Sequence, residues 1–325
     1  METKRLFDIA GPNNFHTRCL EIFRYQIRNN PVYREFCSLL GKNEKEVQQP
    51  AEIPFLPISF FKNRKICWGD DSKAVIFSSS GTTGITPSKH YVKDISLYER
   101  SFLTAFELFY GPPDDYCILA LLPSYLDRNG SSLIYMVDNL IGKSGHPDSG
   151  FYLNEFEMLK NKLVQLNAIG TKVLLIGVSF ALLDFVEQYP MKLSNTIIME
   201  TGGMKGRRRE LVREDLHNSL QRGFGVGRIH SEYGMTELLS QAYSPGFGKF
   251  RTPPWMQVLI RDPEDPLSYL PTGSTGGINI IDLANVHSCP FIATQDLGKS
   301  LADGSFEVLG RFDHSDIRGC NLMML

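Results

Sequence analysis

The chain has 325 residues, 42% of them hydrophobic and 22% charged, so it can bury a large core and divide into more than one lobe. Its 34 Lys and Arg nearly balance its 36 Asp and Glu, and a net charge of -2 gives no bulk attraction to nucleic acid or to an anionic membrane. We find neither an apolar run of about 18 residues nor a signal-like N-terminus, so we expect no membrane span. The six cysteines form no C-x-x-C pair, which argues against zinc and disulfide frameworks and favours a cytoplasmic protein.

Residues 1–70 are predicted to form a helical region packed on the core. Phe15, Leu20, Phe23 and Ile27 recur at mixed helical spacing, and Pro31 interrupts the pattern.

The stretch 75–90 combines a short apolar run with a polar loop. Val75 to Phe77 predicts a buried strand. The residues that follow are small, and they supply hydroxyls and two flexible glycines: Ser79, Ser80, Gly81, Thr82, Thr83 and Gly84. With the positive charge of Lys89, such a loop can surround phosphate oxygens, although the Walker A pattern cannot be laid onto it. The alternative is an ordinary polar turn after a strand.

Strands and helices alternate through residues 71–235. The predicted strands are 75–77, 116–122, 172–177, 196–200 and 228–231, and the predicted helices are 95–109, 131–141, 154–167, 180–188 and 207–221. This alternation predicts an α/β fold with parallel-sheet layers, in which ligands lie beyond the carboxyl ends of the strands. Residues 236–325 lose helical periodicity, and short strands at 258–260, 277–281, 291–294 and 306–309 predict a smaller β-rich lobe with a C-terminal tail.

A second polar segment, residues 231–237, follows the last of these predicted parallel strands. Tyr233 offers a flat face for a base, and Gly234 permits close approach of the backbone. Thr236 offers a hydroxyl, and Glu237 offers a hard oxygen ligand for Mg²⁺. Taken alone, the segment is also compatible with an ordinary turn.

Together, the Ser-Ser-Gly-Thr-Thr-Gly loop and the Tyr-Gly-Met-Thr-Glu segment resemble two signatures of the adenylate-forming, or AMP-binding, superfamily. The resemblance implies an ATP-dependent enzyme that uses Mg²⁺. It assigns the ATP phosphates to Ser79–Gly84, Lys89 and Thr236, and Mg²⁺ to Glu237. The adenine would lie near Gly202 and Gly203 and stack on Tyr233.

Two further segments extend the resemblance towards the C-terminus. Thr294-Gln295-Asp296 is similar to the Thr-Gly-Asp of the superfamily, with Gln295 in place of the usual glycine, and it implies that Asp296 binds the ribose hydroxyls. Gly310-Arg311-Phe312-Asp313 is similar to Gly-Arg-x-Asp, which puts Arg311 near the ribose or a phosphate. With the Gly202-Gly203 turn, which resembles a Gly-Gly turn of the superfamily, five motifs thus follow one another in the expected order.

The end of the sequence departs from most of the superfamily, whose members continue into a small C-terminal domain with a catalytic lysine. The resemblance therefore predicts the large N-terminal-type domain without the usual C-terminal domain. The chain most resembles the acyl-protein synthetases of the bacterial luciferase fatty-acid reductase complex, in which a cysteine near the C-terminus accepts the acyl group. Cys320 matches that cysteine, and Arg318 would favour its thiolate. The alternative is a small buried hydrophobic residue.

Three other residues attract attention but receive structural interpretations. Ser179 lies in Gly177-Val178-Ser179, which mimics a nucleophile elbow, but the final glycine of that motif is missing and a helix N-cap is favoured. His230 and His287 have no neighbours at metal or triad spacing and are interpreted as structural.

The expected reaction is ATP-dependent activation of a carboxylic acid, most simply a fatty acid, as an acyl-adenylate. Transfer to Cys320 and then to a partner protein, a reductase or a carrier, would follow. One alternative is a ligase that acylates coenzyme A or a carrier while Cys320 stays inert. Another is a nucleotide-binding scaffold without catalysis.

Overall fold

The computed structural model describes residues 6–79, 86–123, 130–202 and 211–312. Their contacts divide the chain into two compact units. The first unit comprises the described residues of Met1–Trp68 and Pro254–Leu325, and the second comprises those of Gly69–Pro253. Most of the predicted β-rich lobe therefore groups with the N-terminal helical region, in a segment that begins at Pro254 rather than at residue 236.

Eight helices and fourteen strands are formed by the part of the chain that the structure describes. The helices are α1 (Pro12–Asn29), α2 (Pro31–Leu39), α3 (Phe60–Asn63), α4 (Ile95–Tyr110), α5 (Ser132–Ser144), α6 (Phe156–Ala168), α7 (Ser179–Gln188) and α8 (Arg213–Phe224). The strands are β1 (Leu56–Pro57), β2 (Val75–Ser78), β3 (Lys89–Val92), β4 (Cys117–Leu121), β5 (Gly150–Phe151), β6 (Val173–Gly177), β7 (Thr196–Thr201), β8 (His230–Tyr233), β9 (Ala242–Ser244), β10 (Lys249–Phe250), β11 (Met256–Arg261), β12 (Thr275–Asp282), β13 (Phe291–Ser300) and β14 (Phe306–Arg311).

The main sheet of the second unit has the order β5-β4-β6-β7-β8-β9. All neighbours from β5 to β8 are parallel, and β9 pairs antiparallel with β8. Every residue of β4 and β6 is buried, as expected for central strands of a parallel sheet. The predicted α/β fold with a mainly parallel sheet is confirmed.

Local signals set the ends of several helices around this sheet. The Asp94 side chain accepts a hydrogen bond from the backbone N–H of Ser96 at the start of α4, and Ser131 caps α5 in the same way. α8 ends at Phe224, and its C-cap residue Gly225 has a positive φ of 63°, which suits a glycine. The prediction that this helix begins at Arg207 is wrong, because Leu211 and Val212 are not helical and α8 begins at Arg213.

The strand at Val75 differs from the prediction. β2 does not join the parallel sheet but pairs antiparallel with β3 in a two-stranded hairpin. Only Phe77 is fully buried, whereas Ile76 is 46% exposed. The short connection from Ser78 to Lys89 explains this pairing, because a parallel neighbour requires a longer crossover, usually a helix.

The first unit contains an antiparallel β-sheet that runs β14-β13-β12-β11, with β1 parallel to β13. Helices α1 and α2 contribute Phe23 and Tyr33, whose rings pack on Phe291 of β13. The Gln26 side chain donates a hydrogen bond to the Val286 carbonyl, which ties α1 to the end of this sheet region. No helix within the described ranges is long and apolar enough to cross a bilayer.

Candidate active site

The two strands that flank the predicted phosphate loop in the chain, β2 and β3, pair with each other antiparallel. The Ser79 N–H donates to the Ser88 carbonyl at 3.1 Å, and the Ser88 N–H donates to Ser79 Oγ at 2.9 Å. These two bonds join Ser79 directly to Ser88. Lys89 opens β3 with an exposed side chain. The other predicted loop residues, from Ser80 to Gly84, lie outside the described residues.

The predicted adenine residues lie at the carboxyl ends of two neighbouring strands. β7 and β8 are parallel, and Thr201 pairs in register with Glu232. Gly202 follows Thr201 and Tyr233 follows Glu232, so Gly202 and Tyr233 lie side by side at the carboxyl edge of the sheet. This is the edge where α/β sheets bind ligands. Gly202 has a φ of 36°, which explains a glycine there. Gly203 lies outside the described residues.

Gly234 allows the segment after β8 to pack tightly. A Cβ at this position would lie 2.5 Å from Glu232 Oε1 and 3.3 Å from Gln241 Cγ. Tyr233 is half-buried, and its ring packs edge-on against Phe250 with centroids 5.9 Å apart. Gly234 therefore leaves room for the protein's own side chains, and its close approach to a ligand stays a prediction.

His90 connects the hairpin to the segment that follows β8. Its Nδ1 lies 2.8 Å from the Thr236 carbonyl oxygen, and its side chain is fully buried. Because a carbonyl only accepts, Nδ1 carries the proton in this bond. The bond joins two motifs that are 146 residues apart in the chain. His90 was not among the predicted site residues, although buried and less buried residues alternate along β3 beside Lys89.

The donor chemistry around Glu237 fits magnesium. Glu237 is buried, and Thr236 before it is half-buried. Within the described ranges, the His, Cys, Asp and Glu side chains form no cluster of three or more that could hold a metal ion by itself. Mg²⁺ commonly binds through one or two carboxylates together with substrate phosphates, which is the arrangement that a single Glu237 beside a phosphate loop would provide.

Asp296 and Arg311, the two predicted ribose residues, lie opposite each other on β13 and β14 of the first unit. Arg311 Nε donates to Asp296 Oδ1 at 3.2 Å. Asp296 is buried, and its N–H donates to Thr294 Oγ1, whereas the Arg311 side chain is exposed. The structure thus brings this pair together, and its role towards a ribose stays a prediction.

Ser179 is not the N-cap that we predicted. α7 begins at Ser179, its N-cap is Val178, and the Ser179 hydroxyl donates to Glu200 Oε2 at 3.1 Å. His217 Nε2 lies 3.6 Å from Glu200 Oε1 and 3.4 Å from Ser231 Oγ. All four side chains are buried. Ser179 thus contacts a carboxylate rather than an imidazole, which does not make it a nucleophile.

The Glu200–His217 pair is an electrostatic feature that sequence reasoning missed. Burial acts to raise the pKa of Glu200, but His217 and the positive charge of Arg213 outweigh it and hold the pKa below its usual value. His217 lies on α8 and Glu200 on β7, so no local pattern signalled the contact.

Glu232 has the opposite electrostatic character. Burial raises the pKa of Glu232 to about 7, although the Thr201 hydroxyl donates to its Oε2 at 2.5 Å. His230, on the same strand, has its pKa lowered to about 4 by burial and by Arg228, so it is neutral at pH 7.

We expect Glu232→Gln to stabilise the fold increasingly as the pH rises. A carboxyl whose pKa is raised in the folded state contributes most to the free energy of unfolding below its unfolded pKa of 4.5. This stabilising contribution is lost as the pH rises through the folded pKa of about 7. The amide keeps an acceptor for Thr201 but does not ionise. Urea unfolding at pH 5 and pH 8 should therefore show a gain over wild type on the order of 2 kcal/mol at the higher pH only. An equal effect at both values would contradict the raised pKa.

Comparisons with known proteins were consistent with the motifs. No protein-family model matches the chain. It is 25% identical over 328 residues to the long-chain-fatty-acid–luciferin-component ligase of Vibrio harveyi, covering 93% of this chain and 85% of that protein.

Solved structures show the fold. An open conformation of 2-hydroxyisobutyryl-CoA ligase, in complex with 2-HIB-AMP and CoA, has a TM-score of 0.65 at 12% identity and covers 93% of this chain and 70% of that one. ATP-bound MatB from Rhodopseudomonas palustris has a TM-score of 0.54 at 22% identity and covers 73% of this chain and 47% of that one. The predicted fold class is confirmed by these structures, and the predicted resemblance is confirmed by the similarity to the Vibrio harveyi ligase.

Proposed function

We propose that this chain activates a fatty acid as its acyl-adenylate and transfers the acyl group to a thiol of its own before passing it to a partner protein. The observation that carries the proposal is the His90–Thr236 bond, which holds the phosphate-loop hairpin against the Tyr233–Glu237 segment. The similarity to a luciferin-component ligase supports a long-chain fatty acid as the substrate.

In the first half-reaction, a carboxylate oxygen of the acid attacks the α-phosphorus of ATP. A new oxygen–phosphorus bond forms, the bond to the β-phosphate oxygen breaks, and pyrophosphate leaves. The chain's contribution is positioning and electrostatic stabilisation. The loop N–H groups and hydroxyls from Ser79 to Gly84, together with Lys89 and Thr236, bind the phosphates, and Tyr233 orients the base beside Gly202 and Gly203. Glu237 would hold Mg²⁺, which neutralises phosphate charge.

In the second half-reaction, a thiolate attacks the acyl carbonyl carbon and AMP leaves. We propose Cys320 as this thiol. It lies outside the described residues, so its assignment rests on the resemblance and on the neighbouring Arg318. Four of the other five cysteines are less suited, since burial raises the pKa of the thiols of Cys19, Cys37, Cys117 and Cys289.

Lys89→Ala should lower carboxylate-dependent ATP–pyrophosphate exchange about tenfold without lowering the unfolding temperature. The reason is that Lys89 is exposed and packs in no core, whereas its charge would stabilise the phosphates. Lys143→Ala, an exposed lysine on α5, is the matched control. Full exchange activity in Lys89→Ala would remove this lysine from the phosphate site.

Intact mass measures the thiol step. After incubation with ATP, Mg²⁺ and a fatty acid, wild type should gain one acyl group that hydroxylamine removes, and Cys320→Ser should gain none. Adenylate formation with unmodified wild-type protein would reject the acyl-cysteine. Free coenzyme A or a carrier protein would then be the acceptor to test. No exchange with any acid would favour a non-catalytic scaffold.

A further inference from the structure

A buried polar cluster lies on one face of the second unit's sheet, directly behind the predicted nucleotide segment. Glu232 and Tyr243 pair in register on the antiparallel strands β8 and β9, so their side chains lie on the same face. Thr201 of β7 joins them through its bond to Glu232. Gln241 lies on this face as well, since a Cβ placed on Gly234 would contact both Glu232 Oε1 and Gln241 Cγ. We call Glu232, Gln241 and Tyr243 the polar cluster.

Helix α4 covers this face with further polar groups. The Tyr110 ring packs edge-on against Tyr243 with centroids 5.3 Å apart, and its hydroxyl lies 3.3 Å from His230 Nδ1. Ser101 and Ser240 hydroxyls lie 3.0 Å apart, and both side chains are fully buried. An interior between a helix and a sheet is ordinarily apolar, so this concentration of polar groups calls for a partner.

Two atoms of the polar cluster lack such a partner. Gln241 Oε1 and the Tyr243 hydroxyl are buried, and neither has a hydrogen-bond partner within the part of the chain that the structure describes. Their residues are only 3% and 1% exposed. A buried polar atom that is left unpaired keeps its full desolvation penalty, so two such atoms in one cluster indicate a ligand group that pairs them.

We propose that the polar cluster binds a hydroxyl group on the acyl chain of the acid, so that the substrate is a hydroxylated acid rather than a plain one. This inference rests on the proposed function. A hydroxyl supplies one donor and two acceptor lone pairs. It can donate to Gln241 Oε1 and accept from the Tyr243 hydroxyl, which pairs both buried atoms. Glu232, which burial keeps partly protonated at neutral pH, can donate or accept as the ligand requires.

The location agrees with such a role. Glu232 directly precedes Tyr233, and Thr201 directly precedes Gly202, so the polar cluster begins one residue behind the edge proposed for the adenylate. In an acyl-adenylate the acyl carbonyl is bonded to the α-phosphate through one oxygen. The acyl chain must therefore start beside that edge, where the cluster can reach a hydroxyl close to the carboxyl end.

The test compares pairs of acids of equal length, such as 3-hydroxytetradecanoate with tetradecanoate and 2-hydroxytetradecanoate with the same plain acid. In ATP–pyrophosphate exchange, kcat/KM should favour one hydroxy acid at least about tenfold, because a site built to bind a hydroxyl rejects the analogue that lacks it. Tyr243→Phe should reduce that preference about tenfold, and Gln241→Leu should do the same. Tyr152→Phe, a buried tyrosine whose hydroxyl donates to the Asp148 carbonyl, is the matched control and should keep the preference.

The outcomes separate this inference from the proposed function. Equal kcat/KM for all hydroxy and plain acids, with active enzyme, would overturn the hydroxyl site while leaving acyl activation intact. A preference for the hydroxy acid that Tyr243→Phe leaves unchanged would also overturn the hydroxyl site. A preference for an amino acid of the same length over the hydroxy and plain acids would overturn it as well. Absence of exchange with every acid would instead refute the proposed function on which the inference rests. Circular dichroism and urea unfolding of each variant exclude a folding defect as the cause.

Discussion

Glu237→Gln is expected to lower ATP–pyrophosphate exchange about 100-fold while leaving the fold intact. The amide keeps the size of the buried side chain but loses the negative charge that a hard cation prefers. The loss should fall on the rate and on the Mg²⁺ dependence together. Titration of exchange against Mg²⁺ at fixed ATP measures both.

Glu157→Gln is the matched control for this variant. Glu157 is an exposed residue of α6, so removing its charge should leave exchange and its Mg²⁺ dependence as in wild type. If Glu237→Gln shows the wild-type rate and the wild-type Mg²⁺ requirement, Glu237 does not hold the metal. Loss of activity accompanied by a lowered unfolding temperature would point to a structural role instead.

His217→Leu is expected to destabilise the protein by about 3–5 kcal/mol, because it leaves the buried carboxylate of Glu200 without its imidazole partner. The pKa of Glu200 is lowered in the folded state. The Glu200–His217 pair therefore stabilises the fold above about pH 4.5, and this stabilisation is lost as the pH falls below that value. The difference between wild type and His217→Leu should therefore be large at pH 7 and smaller near pH 4. Urea unfolding at the two pH values measures it.

The double variant Glu200→Gln/His217→Leu distinguishes charge from packing. Replacing the carboxylate by an amide removes the buried charge, so the double variant should recover a large part of the stability lost in His217→Leu. No recovery would mean that His217 acts by filling space. The result also bears on the candidate site, because Glu200 lies two residues before Gly202 at the end of β7.

Local sequence patterns predicted most elements of the second unit. Helix α4 was expected over 95–109 and spans Ile95–Tyr110, and β6 was expected over 172–177 and spans Val173–Gly177. These elements carry their own periodicity and end signals, such as Asp94 at the start of α4. The start of α8 was less predictable: the helix begins six residues after its predicted start, and its N-cap Val212 provides no side-chain cap.

Local patterns were enough to predict the order of most strands and helices and the motifs at the strand ends, because periodicity and turn residues act within a few positions of one another. Three contacts became visible only in the folded chain: β2 pairs with β3, His90 binds the Thr236 carbonyl, and Glu200 contacts His217. The tertiary structure also decided that Glu232, Gln241 and Tyr243 share one buried face. Such contacts join residues that are far apart in the chain, and their energies depend on burial, which no local pattern records.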